Sequence, residues 1–328
     1  MTGPRARIAA ALRSSARVLL VTHVAPDGDV LGSTLALALA LEALGKTVVV
    51  ASEDGLPPAF AFLPGAERVV RELPPDAAFD AAVTVECSTP ERCGRFAPVV
   101  LAAPLVIVID HHESHVPYGH LEDWQPDAAA AAEQVADLIR ELGVPLNAAM
   151  ATALLAGLVT DTGVFRFPTV HPGTLRLAAQ LMEAGAPLGE IVAFVYERRS
   201  LASVRLLGYA LLRAAPAAEG AIVYTTLSEA LVRAAGAEPD DSAGIVGTLR
   251  TVRGVRVAIL FEESGGEVRV SIRARDGARA HVIAERFGGG GHPGAAGCIL
   301  PGPLAEAVPR VLAAAEAELR RGPELGRR

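Results

Sequence analysis

The chain has 328 residues, 51% of them apolar and only 4% aromatic, with a formal net charge of −7. That length predicts about two domains of roughly 100–200 residues each, with cores built from Ala, Val and Leu. The acidic balance excludes a general nucleic-acid coat protein, and no apolar run approaches the roughly 20 residues that span a bilayer.

The first residues carry Arg5, Arg7 and Arg13 but no apolar segment followed by a cleavage site, so no signal peptide is expected. Val18–Val21 reads as a buried strand. It leads into Thr22-His23-Val24-Ala25-Pro26-Asp27-Gly28-Asp29, which places one imidazole and two carboxylates within seven residues. Pro26 and Gly28 turn the backbone, and Asp29 or Ser33 is placed to start a helix over Val30–Leu44. A strand end, hard ligands and a helix N-terminus together suit a metal–phosphate site; the alternative is a polar turn. Further strands are predicted at Val48–Ala51, Ala82–Val85 and Val106–Ile109. Helices are predicted near Pro57–Phe62 and over Ala128–Leu142. Continuous apolar strands alternating with helices indicate a mostly parallel sheet covered on both faces. Ligands bind outside the carboxyl ends of such strands. His23, Asp27 and Asp29 stand there, as do Glu86 and the run Asp110-His111-His112.

Asn147–Thr160 reads as an apolar helix ending at Asp161-Thr162-Gly163, and Thr174–Glu183 as another closed by Gly185. Leu188–Leu212 is predicted as one long helical stretch bridging two domains. Past Pro216 the pattern alternates, with strands at Ala221–Leu227, Val255–Glu262 and Glu267–Arg273 and a hairpin turn at Gly265-Gly266. Helices are expected at Ser228–Ala235, Ser242–Leu249, His281–Phe287 and Ala305–Arg321, with the last few residues frayed.

His23, Asp27, Asp29, Glu86, His111, His112 and Asp161 would meet at one sheet edge. They could hold two divalent ions sharing a carboxylate, the arrangement that activates water for in-line phosphoryl displacement. Imidazoles and carboxylates without thiolates favour Mn2+, with Mg2+, Co2+ or Zn2+ as alternatives. Three consecutive ionisable residues directly after a buried strand would be costly without ligands or partners. The second dense stretch runs from Phe287 to Gly297 through Gly288–Gly291, His292 and Pro293. Its glycines let backbone approach a ligand and offer N–H groups to an anion. It is neither a dinucleotide fingerprint nor a P-loop. Upstream, Arg273 and Arg275 alternate on a strand and could clamp a phosphate from one face. From residue 216 onward 14 Arg balance 14 Asp plus Glu, so the acidic excess lies with the proposed metal ligands. Three cysteines without metal-pair spacing suggest free thiols in a reducing compartment. The expectation is a soluble cytoplasmic protein.

His23-x3-Asp27-Gly28-Asp29, Asp110-His111-His112, Gly157-Leu158-x2-Asp161-Thr162-Gly163 and Gly288–Gly297 together resemble the DHH–DHHA1 phosphoesterases of the nanoRNase/pAp-phosphatase type. The resemblance covers essentially the whole chain. It implies an α/β fold: a DHH domain with a mostly parallel sheet over 1–187, a helical linker over 188–213, and a smaller DHHA1 substrate domain with a mixed sheet over 214–328. The active site would lie in the interdomain cleft. One ion would sit on His23, Asp27 and residue 86, the other on Asp29, residue 86, His111 and Asp161. Asp110 would orient the cluster, and His112 would stabilise the transition state or donate a proton. Arg273, Gly290, Gly291 and His292 would hold the substrate's terminal phosphate and nucleotide, with Arg275 a weaker candidate.

One departure stands out. The family's second motif supplies an Asp where this chain has Glu86, whose extra methylene moves the carboxylate and puts the inter-metal distance and the strength of catalysis in question. The activity implied is hydrolysis of very short 5′-phosphorylated oligonucleotides, such as linear pGpG or pApA, to mononucleotides, and of pAp to AMP and phosphate. The competing readings are a cyclic-dinucleotide phosphodiesterase, a RecJ-like exonuclease, a family II pyrophosphatase, and a nucleotide-binding sensor with catalysis weakened by Glu86. A homodimer is held open.

Overall fold

The computed structural model describes residues 3–74 and 77–321, without the side chains of Pro239, Asp240 and His292. The frayed end expected from the sequence, 322–328, lies outside the described residues. The chain divides into two compact units, Met1–Arg198 and Arg199–Arg328.

The first unit runs α1 (Pro4–Ser14), β1 (Arg17–Val21), α2 (Gly28–Ala43), β2 (Thr47–Ala51), β3 (Val69–Val70), β4 (Ala81–Val85), α3 (Ala97–Leu101), β5 (Val106–Asp110), β6 (Leu121–Trp124), α4 (Ala131–Glu141), α5 (Ala148–Asp161), α6 (Pro172–Glu183) and α7 (Leu188–Tyr196). Its six strands are all parallel, in the order β3-β2-β1-β4-β5-β6. Strand side chains alternate between faces. Val18 and Leu20 of β1 therefore pack with α2, α4 and α5, whereas Leu19 and Val21 pack with Phe96 and Val100 on the other side. Burial of both faces is what makes these strands read as unbroken apolar runs. The strand order reverses between β1 and β4, and such a switch point opens a crevice at the carboxyl ends of the strands.

Two corrections to the sequence-based elements have clear causes. The helix expected over Ala128–Leu142 begins only at Ala131. Its alanine-rich start carries no side-chain cap of its own, and the cap comes from Asp29, whose carboxylate accepts from the amides of Ala131 and Ala132 at 2.6 and 3.0 Å. The long helix over Leu188–Leu212 is two helices. α7 ends at Tyr196, and Ser200 caps a new helix by accepting from the Ser203 amide at 2.8 Å.

The second unit runs α8 (Leu201–Leu212), β7 (Ala215–Ala217), β8 (Ile222–Leu227), α9 (Glu229–Ala235), α10 (Ile245–Leu249), β9 (Val257–Ser264), β10 (Glu267–Ala274), α11 (Ala280–Glu285), β11 (Gly290–His292), β12 (Ala295–Pro301) and α12 (Leu304–Arg320). Its sheet has the order β11-β12-β10-β9-β8-β7, with β8 and β9 parallel and the other pairs antiparallel. The mixed sheet expected for this half is thus present. Gly265 and Gly266, at φ of 59° and 82°, turn the chain between β9 and β10, as a two-residue hairpin with left-handed central residues requires. Among the described residues no helix is long and apolar enough to cross a membrane. Cys87, Cys93 and Cys298 are buried free thiols.

Candidate metal centre

Three strand ends and two helices build one cluster in the first unit. At the end of β1, His23 donates through Nδ1 to the Val24 carbonyl at 2.8 Å, which turns Nε2 toward Asp27. Asp27 caps α2: its Oδ1 accepts from the amides of Asp29 and Val30, both at 3.1 Å, and its Oδ2 lies 3.9 Å from His23 Nε2. One oxygen thus starts the helix and the other faces the cluster. Asp29 is fully buried and accepts three hydrogen bonds, from Ala131, Ala132 and the Ser33 hydroxyl.

Glu86 follows β4 with φ of 58°. That left-handed conformation is uncommon for a residue with a long side chain, and such backbone strain clusters at functional sites. Its carboxylate is 2% exposed; Oε1 lies 3.0 Å from His111 Nε2, and Oε2 has no hydrogen-bond partner. His111 donates through Nδ1 to the Ala128 carbonyl at 3.1 Å, so its Nε2 serves Glu86 and, at 3.6 Å, Asp161. Fixing the outer nitrogen on a carbonyl is how a ligating imidazole is oriented. His112 is held through Nδ1 by Asp110 Oδ1 at 2.7 Å.

The charges in this cluster repel one another. Burial, then Asp29, Asp27 and Asp161, push the Glu86 carboxyl well above the usual carboxylate range. Burial also raises Asp29, and burial followed by the Asp29 charge pushes Asp161 up to about 7. Burial lowers His23. Burial works against protonation of His111 too, but Asp161 and Asp29 outweigh it and raise the ring above its ordinary value.

Among the described residues no Lys or Arg forms an ion pair with Asp27, Asp29, Glu86 or Asp161. Ligand atoms within 4.8 Å of one another form three groups: His23, Asp27 and Glu86; Asp29, His111 and Asp161; and Glu86, His111 and His112. Four converging carboxylates, of which Asp29 and Glu86 are buried, an orphaned Glu86 oxygen and outwardly anchored imidazoles fit divalent cations. Glu86 belongs to the first and third groups, and through His111 it links to the second.

Gly157 of α5 is required here for space, because a Cβ at that position would lie 2.5 Å from Asp29 Oδ1. Gly157→Ala is expected to push Asp29 off the α4 amides and destabilise the protein by about 1–3 kcal/mol. Urea unfolding of the metal-free protein checks this; an unchanged midpoint would show that Asp29 tolerates the methyl group.

Residues 17–158 match the N-terminal domain of the DHH family, and residues 220–321 match the DHHA1 domain. A Thermus thermophilus protein named bifunctional oligoribonuclease and PAP phosphatase NrnA is 40% identical over 312 residues, covering 93% of this chain and 90% of that one. This chain belongs to the DHH–DHHA1 family. A Bacillus subtilis protein of the same name is 28% identical over 283 residues, covering 85% of this chain and 88% of its own. The crystal structure of an exopolyphosphatase-related protein from Bacteroides fragilis superimposes with a TM-score of 0.90 over 96% of both chains at 23% identity, which supports the fold.

The DHH unit gathers the seven residues that the sequence brings to one sheet edge: His23, Asp27, Asp29, Glu86, His111, His112 and Asp161. In the DHHA1 unit, Arg273 is half-buried on β10, and its Nη1 donates to the Ile272 carbonyl at 3.1 Å. Burial, then the Arg250 guanidinium, lower its pKa. Arg275 departs from the strand reading. β10 ends at Ala274, and Arg275 donates to the carbonyls of Val255 and Val252 at 2.6 and 2.9 Å, so its guanidinium braces a turn. Gly290 and Gly291 form part of β11, an edge strand with one side open. A Cβ at Gly290 would meet nothing within 4 Å, so its backbone is approachable. His292 also lies in β11, but its side chain is outside the described residues.

The sequence reading missed His115 and Glu122 of the DHH unit. His115 Nδ1 lies 2.8 Å from Asp110 Oδ2 and its Nε2 3.3 Å from Glu122 Oε2. A third imidazole so soon after Asp110-His111-His112 was a visible cue, but its partner Glu122 lies on β6, which was not predicted.

Proposed function

We propose that this chain is a divalent-metal-dependent phosphodiesterase that degrades very short 5′-phosphorylated oligonucleotides to mononucleotides and converts pAp to AMP and phosphate. What carries the reading is the Glu86-linked pair of ligand groups at the strand switch point, in a chain 40% identical to a protein named oligoribonuclease and PAP phosphatase. His23, Asp27 and Glu86 would hold one ion, and Asp29, Glu86, His111 and Asp161 would hold the other, with Mn2+ preferred. Bound there, the ions supply Lewis acidity that eases ionisation of water near neutral pH and offsets phosphoryl charge.

The remaining work falls to side chains. Asp110 fixes His112 through Nδ1, and we assign the His112 ring to stabilise the reacting phosphate or protonate the leaving oxygen. Arg273 holds the terminal phosphate, while Gly290, Gly291 and His292 hold the nucleotide. We assign the first unit the chemistry and the second unit substrate binding, in the cytoplasm, where free thiols persist.

Hydrolysis of a 5′-phosphorylated dinucleotide, a pentamer, a strand of about two dozen nucleotides and pAp, in Mn2+ and in EDTA, tests this reading. Metal-dependent turnover of pAp and the short substrates, with the long strand spared, is expected. Tight dinucleotide binding without turnover would favour the sensor reading, which Glu86 in place of the family's Asp motivates; turnover appearing in Glu86→Asp would then identify the cause.

A further inference from the structure

Asp110 is fully buried, and its carboxylate is divided between two imidazoles. Oδ1 receives the His112 ring at 2.7 Å and the His112 amide at 3.2 Å, and Oδ2 receives His115 Nδ1 at 2.8 Å. His115 is itself pinned from behind. Its side chain is 2% exposed, and its Nε2 meets Glu122 Oε2. The other Glu122 oxygen accepts from the amides of Tyr118 and Gly119 at 2.8 and 2.7 Å. The Trp124 indole stacks on the His115 ring at 5.6 Å and donates through Nε1 to the His112 carbonyl at 2.9 Å. Both the ring and the main chain of His112 are therefore tied to β6, an edge strand that contributes no residue to the ligand groups.

We infer that His115, held by Glu122 and Trp124, is a positioning residue that locks the Asp110 carboxylate and thereby sets the ring plane and tautomer of His112. Without a donor on Oδ2, the Asp110 carboxylate is free to rotate. His112 then loses the fixed Nδ1–H bond that presents Nε2 to substrate. Small errors in placing such a group cost rate more than binding. The inference rests on the phosphodiesterase reading only for the role of His112; the hydrogen-bond lock itself is independent of it.

The two nitrogens of His115 can be tested separately. An Asn amide occupies the place of Nδ1 and can still donate to Asp110. A Gln amide reaches the place of Nε2, serves Glu122 and abandons Asp110. Phe keeps the stacking on Trp124 and loses both bonds. With Mn2+ and a 5′-phosphorylated dinucleotide, His115→Gln and His115→Phe are expected to lower kcat about tenfold with KM within about twofold, and His115→Asn to stay within about threefold of wild type. Bound Mn2+ per chain stays at the wild-type value in all three. In the metal-free proteins, a two-bond 15N–1H spectrum is expected to show a single His112 tautomer protonated at Nδ1 in wild type and His115→Asn, and a mixture in His115→Gln. Wild-type kcat and an unchanged tautomer in every variant would overturn the inference. So would losses that rank with melting temperature or metal content instead of with the donor to Asp110. If wild type turns over none of these substrates while the tautomer still follows the donor, the lock stands and the phosphodiesterase reading falls.

Discussion

Glu86→Gln is expected to raise the melting temperature of the metal-free protein while lowering dinucleotide turnover in Mn2+ by at least about a hundredfold, more than the ~10–100-fold cost of losing outer support to a metal ligand. The two effects share one cause. Glu86 is buried next to Asp29, Asp27 and Asp161, and burial with their charges pushes its carboxyl well up. Its Oε2 has no partner. A Gln amide keeps the shape, is neutral without having to take up a proton, and places an NH2 where neighbouring carboxylates can accept from it. The relief is available only while no cation is bound. With Mn2+ added, a neutral amide at position 86 would be a weaker metal ligand than a carboxylate, and activity would be lost with it. Asp29 shows why the argument is specific to position 86: both Asp29 oxygens accept from the α4 amides and Ser33, and an amide NH2 there would oppose backbone donors. Calorimetry in EDTA and kinetics in Mn2+ test the pair. A variant that loses both stability and turnover would mean that Glu86 holds the fold and that the repulsion argument is wrong.

The ligands were legible because of where they stand in the chain. Val18–Val21, Ala82–Val85 and Val106–Ile109 are apolar without alternation because parallel strands bury both faces. Polar residues packed against their carboxyl ends, such as His23, Glu86 and Asp110, therefore stand out. What the sequence hid depends on contacts between distant residues. The start of α4 lies in a run of alanines with no local cap; its cap is Asp29, on another helix. The break between α7 and α8 falls at Glu197-Arg198-Arg199-Ser200, where no Gly or Pro marks it and helix propensity alone predicts one rod. β12, from Ala295 to Pro301, begins inside the glycine-rich stretch and has few β-branched residues, and it becomes a strand by pairing with β10. β6 is four residues long and carries Glu122, Asp123 and Trp124, so it lacks the apolar pattern of a strand. Missing β6 meant missing the support behind Asp110.

Raising the pH from about 6.5 to 8 is expected to lower the melting temperature of the metal-free protein, and Mn2+ is expected to reverse the trend. Asp161 rises from 3.8 to about 7 in the folded state, burial first and Asp29 next. Glu86, Asp29 and His111 are raised as well. A group with a raised folded pKa binds more protons folded than unfolded, so its contribution is complete below the unfolded pKa and is lost as pH climbs through the folded one. His23 is lowered from 6.5, so its contribution grows as pH rises toward 6.5 and is constant above it. Above about pH 6.5 the raised groups therefore act alone, and stability falls. Divalent ions bind the deprotonated ligands, so protons compete with them, and the gain from Mn2+ grows through the same window. At about a hundredfold excess over Kd, one ion contributes about 2.7 kcal/mol, or about 5–10 °C for a unit of this size. Melting curves at several pH values, with EDTA and with Mn2+, measure both arms. A metal-free midpoint that climbs between pH 6.5 and 8, or an Mn2+ shift of constant size across it, would mean that these carboxylates are not held close together in the absence of a cation.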